Sequence, residues 1–345
     1  MKAAVFHGPG DLRVTELPRP SVSDDELLLK IAACAVCGSD VRTFRHGARN
    51  IDRPVVLGHE LSGTVVQAGG ALDGFWEGQR VAVAPAIPCG ECQYCRSGAE
   101  TMCERLRSIG YQFDGGLAEF MAVPASALRA GCVNSVPDAV SFEEAALAEP
   151  LACVINAQEL LHLGTGDTVL VIGAGPIGCL HAALARIRGA ASVLLVDLRR
   201  ERLQMAEPFG ADMMIDAARD DVQARVLEAT DGVGASVVIV AAPSHRAQEQ
   251  AVALAARRGR INFFGGLPKN EPTISLDANT VHYRELTIVG SYGSRPSHNR
   301  QALDLVASGR LPMRALVGLE LPLDRVVEGL LAVEQGQVLK VIVRP

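Results

Sequence analysis

Aromatic residues and long basic runs are what this sequence has least of. Phe, Trp and Tyr make up 4% of its 345 residues, too few to suggest a surface that stacks nucleic-acid bases. The formal net charge is −6, from 33 Lys and Arg against 39 Asp and Glu, so neither nucleic acid nor an anionic membrane is an expected partner. Internal repeats and low-complexity tracts are also absent. The remaining composition, 48% hydrophobic and 21% charged, is that of a globular protein, and the length suggests about two domains.

The sequence predicts neither a secretion signal nor a membrane span. The segment MKAAVFHGPGDLRV lacks the apolar stretch of about 7 to 15 residues that a signal peptide needs. Residues 168–185 are nearly uncharged, but their three glycines and one proline favour a buried strand, a turn and a helix. We therefore expect a cytoplasmic, reducing compartment, in which clustered cysteines indicate metal binding rather than disulfides.

The pattern of apolar residues changes near Ser141. Up to about residue 150, short apolar runs such as LLLKIAAC and RVAVAP, broken by glycine and proline, predict a β-rich domain. The segment SFEEAALAEPLACVINAQELL has Ser141 and Glu144 at the spacing of a helix capping box and is rich in Ala and Leu. From Thr168, apolar strands alternate with helices, one of which is predicted over 245–259. This alternation predicts an α/β fold with a parallel, doubly wound sheet.

One strand-to-helix junction carries the pattern of a dinucleotide site. In VLVIGAGPIG, three glycines form G-x-G-x-x-G directly after a predicted strand and at the start of a predicted helix. Glycine permits the tight turn, the approach of a pyrophosphate and the packing of helix on strand, while the helix N-terminus supplies N–H donors. We predict that the cofactor is bound by Gly173, Gly175, Pro176, Ile177, Gly178, Asp197 and Arg202.

The next predicted strand ends at Asp197, and this residue bears on the choice of cofactor. Asp197 lies 19 residues after Gly178, where an acidic side chain accepts hydrogen bonds from the adenosine ribose and repels a 2′-phosphate. Arg199 and Arg200 follow, and an arginine just beyond the strand can bind that phosphate instead of facing solvent. The carboxylate should dominate at contact distance, so the prediction is NAD, with NADP as the alternative.

The four cysteines of IPCGECQYCRSGAETMC predict a closed metal site. Cys89, Cys92, Cys95 and Cys103 follow the spacing C-x2-C-x2-C-x7-C, so one short loop supplies every ligand. Four thiolates complete a zinc tetrahedron and leave no position for a substrate, which indicates a structural site. An iron–sulfur cluster and four metal-free thiols are the alternatives.

A second group of metal-ligating residues is scattered through the sequence. Cys37 lies in CAVCGSD, His59 and Glu60 lie in VLGHELSG, and Glu149 lies in LAEPLAC. Dispersed Cys, His and carboxylate ligands with an exchangeable position suit a catalytic zinc, which polarises an alcohol oxygen. Taken singly, each residue has a plainer explanation, as a buried thiol, a core histidine or an acidic residue at a helix start.

Together these motifs resemble the zinc-dependent medium-chain dehydrogenase/reductase family. CGSD, GHELSG, the four-cysteine loop, AEPLA and VIGAGPIG occur in the family's order across essentially the whole chain. The glutamate in AEPLA is typical of the polyol and threonine dehydrogenase branches, whereas liver-type alcohol dehydrogenases carry a cysteine there. The chain is most similar to the polyol dehydrogenases of the sorbitol (L-iditol) type.

The resemblance implies a GroES-like β-rich catalytic domain over 1–150, completed by 294–345, and an inserted Rossmann NAD-binding domain over 151–293. The active site would lie in the cleft between them. The resemblance also implies two zinc ions per chain, a structural one in the four-cysteine loop and a catalytic one. Cys37, His59 and Glu149 would approach the catalytic zinc, with Glu60 as a direct ligand or in exchange with water. A homodimer or homotetramer is expected.

The resemblance further assigns a catalytic role to Ser39. In the family, a serine or threonine here hydrogen-bonds the substrate oxygen and begins a proton relay to a histidine, but this chain has Arg42 at the histidine position. Arginine stays protonated near pH 7, so we expect the proton to leave through water or through Glu60. Thr43 replaces an aromatic residue common in the polyol branch, which leaves the exact substrate open.

The predicted function is zinc- and NAD-dependent oxidation of a secondary alcohol, first of all a polyol, to the ketone by hydride transfer. The alternatives are a dehydrogenase of threonine or of an alcohol or sugar phosphate, and an NADP-dependent carbonyl reductase. Arg295, in GSYGSRP, is a candidate contact for a substrate hydroxyl or phosphate, or a cap of its own loop. A non-catalytic nucleotide- or zinc-binding sensor is the alternative from another class, and Ser39 beside a full set of ligand candidates argues against it.

Overall fold

The computed structural model describes every residue from 1 to 345. Its strands are β1 (Lys2–Gly8), β2 (Asp11–Glu16), β3 (Leu27–Ala35), β4 (Val55–Val56), β5 (Glu60–Ala68), β6 (Arg80–Val83), β7 (Ala86–Ile87), β8 (Arg107–Ser108), β9 (Phe120–Val123), β10 (Val133–Ser135), β11 (Thr168–Ile172), β12 (Ser192–Asp197), β13 (Met213–Asp216), β14 (Ala235–Val240), β15 (Ala255–Phe263), β16 (Thr287–Gly290), β17 (Val317–Pro322) and β18 (Lys340–Arg344). Its helices are α1 (Gly38–His46), α2 (Gln93–Arg96), α3 (Ala125–Arg129), α4 (Phe142–Ala146), α5 (Ala148–Leu160), α6 (Pro176–Ile187), α7 (Arg200–Ala206), α8 (Val222–Ala229), α9 (His245–Leu254), α10 (Ala278–Tyr283), α11 (Pro296–Ala307) and α12 (Val326–Gln335). None of these helices combines the length and the apolar character needed to cross a membrane.

The chain forms two compact units, of which the first is β-rich. This unit comprises residues 1–152, 293–309 and 313–345. Its largest sheet has seven strands in the order β10-β6-β5-β3-β18-β17, with β9 also paired to β3. Two smaller sheets, β2-β1-β4 and β7-β8, complete it. The first unit therefore carries all of the strands predicted for the β-rich part of the sequence, together with β17 and β18 from much later in the chain.

Strand β3 organises the core of the first unit. Its side chains Leu27, Leu29 and Ile31 are almost fully buried in one apolar cluster. Burying an aliphatic side chain of this size contributes roughly 1.5–3 kcal/mol, so the position of β3 is strongly determined. The strand pairs antiparallel with β5 on one side and β18 on the other, and Ala35 at its end lies opposite Glu60. This register brings the residues that follow β3 close to the start of β5.

The second unit contains the predicted parallel sheet. It comprises residues 153–292 and 310–312, and its six strands pair in parallel in the order β13-β12-β11-β14-β15-β16. Val169, Leu170 and Val171 of the central strand are fully buried. Such continuous apolar runs are typical of parallel strands that are covered on both faces. The prediction of a doubly wound parallel sheet is confirmed.

Some local predictions differ from the structure. The helix predicted over 245–259 ends at Leu254, and Ala255–Phe263 form β15 instead, because parallel pairing with β14 and β16 outweighs the helix propensity of Ala and Arg. The capping box at Ser141 and Glu144 is present, but its helix is divided at Leu147 into α4 and α5. Helix α1, inside the predicted β-rich region, is an element that periodicity alone did not indicate.

Candidate metal centres and cofactor site

Three of the predicted catalytic ligands lie together in the first unit. Cys37, His59 and Glu60 each offer one ligand atom, and these atoms all lie within 4.8 Å of one another. Cys37 is the N-cap of α1, which follows β3, and Glu60 is the first residue of the neighbouring strand β5. His59 and Glu60 are buried, with 7% and 0% of their surface exposed, and Cys37 is half-buried. The sheet thus joins ligands that no local spacing groups.

The backbone before His59 requires a glycine. Gly58 has φ +94°, and a Cβ atom built on it would lie 2.6 Å from the Cys34 sulfur and 2.8 Å from Leu117 Cγ. A side chain at this position would therefore displace the segment that carries His59. This close packing explains why the first residue of GHELSG, Gly58, is a glycine.

The two ring nitrogens of His59 face different partners. Nδ1 lies 3.3 Å from Asp40 Oδ1, although the direction is not that of a well-formed hydrogen bond, and Nε2 lies 3.4 Å from Ser39 Oγ. Burial by itself lowers the pKa of His59, but Asp40 and Cys37 raise it, and the net pKa is well above its ordinary value. The Ser39 hydroxyl is therefore part of the same cluster as the predicted ligands.

Asp40 is a functional candidate that sequence reasoning missed. It is 1% exposed, and its Oδ2 accepts a hydrogen bond of 2.9 Å from the backbone N–H of Cys37, while Oδ1 faces His59. One carboxylate thus orients two predicted ligands, as a second layer of hydrogen bonds does around many metals. The signal was present in CGSD, because a carboxylate three residues after the N-cap can close a capping box.

Lys340 is a second residue that was not anticipated. It is 2% exposed, and its ammonium donates hydrogen bonds to both carboxylate oxygens of Glu60, the Oε2 contact being 2.5 Å. Burial by itself lowers the pKa of Lys340, but Glu60, Cys37 and Glu149 outweigh it, and the pKa is raised. A buried cation therefore balances part of the negative charge of the cluster.

Glu149, the remaining predicted ligand, does not belong to the three-residue cluster. It lies half-buried in the first turn of α5, close enough to Lys340 to contribute to the raised pKa of that lysine. Its carboxylate adds negative charge to the same region. Its role as a zinc ligand stays a prediction.

The donor set of this cluster fits zinc. Zinc accepts sulfur, imidazole nitrogen and carboxylate oxygen, with bonds of about 2.0–2.3 Å. Cys37, His59 and Glu60 supply one donor of each kind within a span of 4.8 Å, and Ser39 lies beside them without being a usual zinc ligand. Three protein ligands of mixed type are typical of a site that also accepts an exchangeable oxygen.

The four cysteines of the loop 89–103 converge as predicted. Cys92 and Cys95 have their sulfurs 3.5 Å apart, Cys89 and Cys95 are 3.9 Å apart, and Cys103 lies in the same group. A zinc ion about 2.3 Å from each of four sulfurs would set the sulfurs about 3.8 Å apart. The spacing therefore fits a tetrahedral zinc with no open position.

Electrostatics in this loop also favours a cation. Backbone N–H groups of Glu91 and Cys92 lower the pKa of Cys89 to about 6. Partial burial and the neighbouring thiols raise the pKa of Cys95 to about 12. A zinc ion between the four sulfurs would stabilise their thiolate forms, since metal binding is coupled to the loss of thiol protons.

Arg295 contacts the four-cysteine loop. Its guanidinium donates one hydrogen bond of 3.2 Å to the carbonyl oxygen of Gly98 and another of 3.1 Å to His298 Nε2. Both contacts lie within the first unit. Arg295 is also the N-cap of α11, so it caps its own loop as one of the two predictions had it, and its contact with substrate stays a prediction.

In the second unit, the glycine motif forms the predicted turn between β11 and α6. Gly175 is the N-cap of α6, Pro176 is its first residue, and Ile177 is half-buried in its first turn. A Cβ atom on Gly178 would lie 1.7 Å from the carbonyl oxygen of Gly173. Only glycine therefore allows this helix to pack so closely on the strand, and the first N–H groups of α6 are left to bind an anion.

Asp197 and Arg202 lie beside this turn. Asp197 ends β12; its Oδ2 accepts a hydrogen bond of 2.7 Å from the N–H of Ala174, and its Oδ1 accepts one of 2.8 Å from the N–H of Arg199. The half-buried Arg202 has Nη1 3.2 Å from the position a Cβ on Gly175 would occupy. Predicted cofactor contacts from three elements thus meet at one edge of the parallel sheet.

Comparisons with known proteins agree with this arrangement. Residues 23–135 match the family model for the alcohol dehydrogenase GroES-like domain, and residues 176–308 match the one for zinc-binding dehydrogenases. The chain is 32% identical to a sorbitol dehydrogenase of Halalkalibacterium halodurans, over 100% of this chain and 99% of that protein. It is also 32% identical to a D-arabitol-phosphate dehydrogenase of Enterococcus avium, over 99% of this chain and 97% of that protein.

A solved structure from Sinorhizobium meliloti 1021, described as a zinc-binding dehydrogenase bound to NADP, has the same fold. Its TM-score is 0.93 at 32% identity, over 100% of this chain and 99% of that chain. The predicted fold class, a GroES-like β-rich domain with an inserted Rossmann domain, is confirmed.

Proposed function

The chain belongs to the zinc-binding dehydrogenases of the alcohol dehydrogenase family, and from that premise we propose that it oxidises a secondary alcohol group of a polyol to the ketone with NAD as hydride acceptor. The protein is an oxidoreductase that acts on a small molecule. The observation that supports alcohol oxidation at this site is the convergence of Cys37, His59 and Glu60 beside the Ser39 hydroxyl.

We assign the catalytic zinc to Cys37, His59 and Glu149, with Glu60 as an alternating ligand. The second zinc belongs to the four cysteines of the loop 89–103. A zinc ion bound at the catalytic site supplies Lewis-acid chemistry, which makes an alcohol hydroxyl beside it more acidic. The chain itself must orient the alcohol and carry its proton away.

Ser39 is the residue placed to receive that proton. Its hydroxyl is half-buried and lies 3.4 Å from His59 Nε2, so it can accept a hydrogen bond from an alcohol oxygen held at the same cluster. Arg42, three residues later, is exposed and remains protonated, so it cannot be the next acceptor. We therefore propose that Ser39 passes its own proton to water or to Glu60.

The cofactor proposal is NAD, bound at the glycine turn of the second unit. Each oxygen of Asp197 accepts one backbone N–H and keeps a lone pair for a ribose hydroxyl. Its charge opposes a 2′-phosphate. NADP is the alternative, since a relative of the same fold binds it and Arg199 follows the strand.

A phosphorylated sugar alcohol is the second candidate substrate. Arg42 projects from α1, whose N-cap is Cys37, and it makes no hydrogen bond or ion pair in the structure. An exposed arginine without a partner suits recognition of a phosphate. The relative from Enterococcus avium is named for a substrate of this kind.

A substrate panel tests the proposal. Zinc-loaded enzyme is assayed for NADH or NADPH formation with sorbitol, xylitol, galactitol, their phosphates, inositols, threonine and simple alcohols. We expect turnover of a polyol or its phosphate with NAD, and none from Cys37→Ser although that variant still binds NAD. Failure to oxidise any alcohol while zinc and NAD are both bound would refute the enzymatic assignment to this site.

A further inference from the structure

Tyr111 lies beside the cluster of predicted catalytic ligands. The centroids of its ring and of the His59 ring are 6.0 Å apart, with the ring planes tilted by 46°, a separation typical of paired aromatic rings. The side chain is half-buried, and its hydroxyl forms a hydrogen bond with the Ser39 hydroxyl. The loop that follows β8 therefore brings a phenol into contact with the residue that is proposed to take the alcohol proton.

The backbone fixes this tyrosine relative to His59. The preceding residue, Gly110, has φ +78°, and a Cβ atom on it would lie 3.2 Å from the carbonyl oxygen of Gly58. Further along the same loop, the N–H of Gly116 donates a hydrogen bond of 2.9 Å to that carbonyl oxygen. The segments that carry Tyr111 and His59 are thus packed against each other, so the phenol is in position before any alcohol binds, which lowers the entropy cost of binding.

The Tyr111 hydroxyl keeps hydrogen-bonding capacity for a ligand. Burial raises its pKa, and this effect outweighs the opposing effects of His59 and of the hydrogen bond with Ser39, so the hydroxyl stays protonated near pH 7. A protonated phenol can donate one hydrogen bond and can also accept one. The bond with Ser39 uses one of these capacities and leaves the other for a ligand.

The position of the phenol matches the second hydroxyl of a vicinal diol. In the proposed function, the reacting alcohol oxygen is hydrogen-bonded to Ser39, which is hydrogen-bonded in turn to Tyr111. The phenol oxygen is therefore two hydrogen bonds, or about 6 Å, from the reacting oxygen. The neighbouring hydroxyl of a diol lies one carbon farther along the substrate and falls inside this span. A monohydroxy alcohol presents only C–H groups there.

We propose that Tyr111 is a specificity-determining residue, whose hydroxyl bonds the hydroxyl group next to the reacting carbon and so selects vicinal diols over simple secondary alcohols. The inference rests on the proposed function and deepens it, because a polyol is a chain of vicinal diols and Tyr111 is the side chain that recognises this feature. A site built to bond a hydroxyl group discriminates strongly against the analogue that lacks it.

The test compares 2,3-butanediol with 2-butanol, which differ by the one hydroxyl in question. Full-length protein with cobalt in place of zinc is titrated with each alcohol in the absence of NAD. The four-thiolate site has no open position, so alcohol-dependent changes in the visible cobalt spectrum report the catalytic site alone. The unchanged protein should bind the diol about tenfold more tightly than 2-butanol, the effect of one additional hydrogen bond.

Two variants complete the test. Tyr111→Phe removes the hydroxyl and keeps the ring beside His59, so it should bind the diol about tenfold more weakly than the unchanged protein does, while its affinity for 2-butanol should change by less than about twofold. Tyr283→Phe is the control, because Tyr283 is 75% exposed and belongs to the second unit. The control should retain the full preference for the diol.

Equal affinity of the unchanged protein for the two alcohols would overturn the inference, and this measurement needs no variant. An equal loss of affinity for both alcohols in Tyr111→Phe would also overturn it, because Tyr111 would then act through Ser39 and not on the second hydroxyl. If neither alcohol changes a cobalt band in the unchanged protein, no open metal position exists at Cys37 and His59, and the proposed function fails together with this inference. Because the readout does not use NAD, an error in the cofactor assignment leaves the test intact.

Discussion

Replacing Asp40 by asparagine should weaken the catalytic metal without removing any ligand. Asp40 uses separate oxygens for its two contacts, Oδ2 for the N–H of Cys37 and Oδ1 for the His59 ring. Asparagine has a single acceptor oxygen and presents an NH₂ group in place of the other. One of the two contacts must therefore be lost. The NH₂ group would face either the N–H of Cys37 or the ring N–H of His59, and two donors cannot form a hydrogen bond with each other.

The size of the effect follows from these two contacts. A buried donor left unsatisfied costs about 1–3 kcal/mol, and loss of a second-layer partner typically weakens metal binding by about 10- to 100-fold, or about 1.4–2.7 kcal/mol. We expect the Asp40→Asn protein to lose one of its two zinc ions to a competing chelator. The chelator concentration needed should be about 10 to 100 times lower than for the unchanged protein. The zinc in the four-cysteine loop should be retained.

The assay is a chelator titration that counts zinc ions released per chain. Asp221→Asn is the matched control, because Asp221 also accepts a backbone N–H at a helix N-terminus but belongs to the second unit, whereas both metal sites belong to the first. The control should release zinc as the unchanged protein does. Equal zinc release from Asp40→Asn and the control would show that Asp40 does not orient the ligands and would refute this reasoning.

Three other predictions follow from the remaining sites. Asp197→Ser should raise the kcat/KM with NADP relative to the kcat/KM with NAD by about tenfold or more, because the negative charge that opposes the 2′-phosphate is removed. An unchanged ratio of these two values would remove the basis for preferring NAD. Burial lowers the pKa of His181 to about 3 in the folded protein, whereas the histidine pKa in the unfolded chain is about 6.5. As the pH falls, the unfolded chain therefore binds the proton first, and protonation favours unfolding. The free energy of unfolding should fall by about 2 kcal/mol between about pH 8 and about pH 5. Denaturant titrations at both pH values test this, and His181→Leu should lose that part of the slope. Cys103→Ser should release one zinc ion per chain and lower the Tm, as mass spectrometry and thermal denaturation can check; full zinc content would contradict the closed-site assignment.

The parts of this molecule that sequence predicts well are those whose physics is local. Gly173, Gly175 and Gly178 lie within one turn, and a Cβ atom at Gly178 is excluded by a contact only five residues away. The four cysteines likewise come from a single loop. The parallel sheet follows from the alternation of apolar strands and helices, which is again a repeated local pattern.

Other features depend on partners that the local sequence does not reveal. Residues 255–259 have a helical composition, yet pairing with two neighbouring strands makes them part of β15. Lys340 has no distinguishing motif, and only the sheet order brings it to Glu60, 280 residues away. Asp40 is intermediate: the capping-box spacing was visible, but its contact with His59 requires the pairing of β3 and β5.

The late position of β18 has a consequence for how the protein is made. On a ribosome that adds roughly 5–20 residues per second, Lys340 emerges roughly 15 to 55 s after Glu60, which precedes it by 280 residues. During that interval the end of β3, at Cys34 and Ala35, lacks its β18 partner, while β9 can already pair with the start of β3. A nascent chain with an unpaired strand edge is prone to aggregate. Cys37, His59 and an unrestrained Glu60 are meanwhile all synthesised and free to capture a metal ion. A metal ion captured early would meet a Glu60 carboxylate that has not yet paired with Lys340, so metal availability during translation should influence the yield of correctly assembled enzyme.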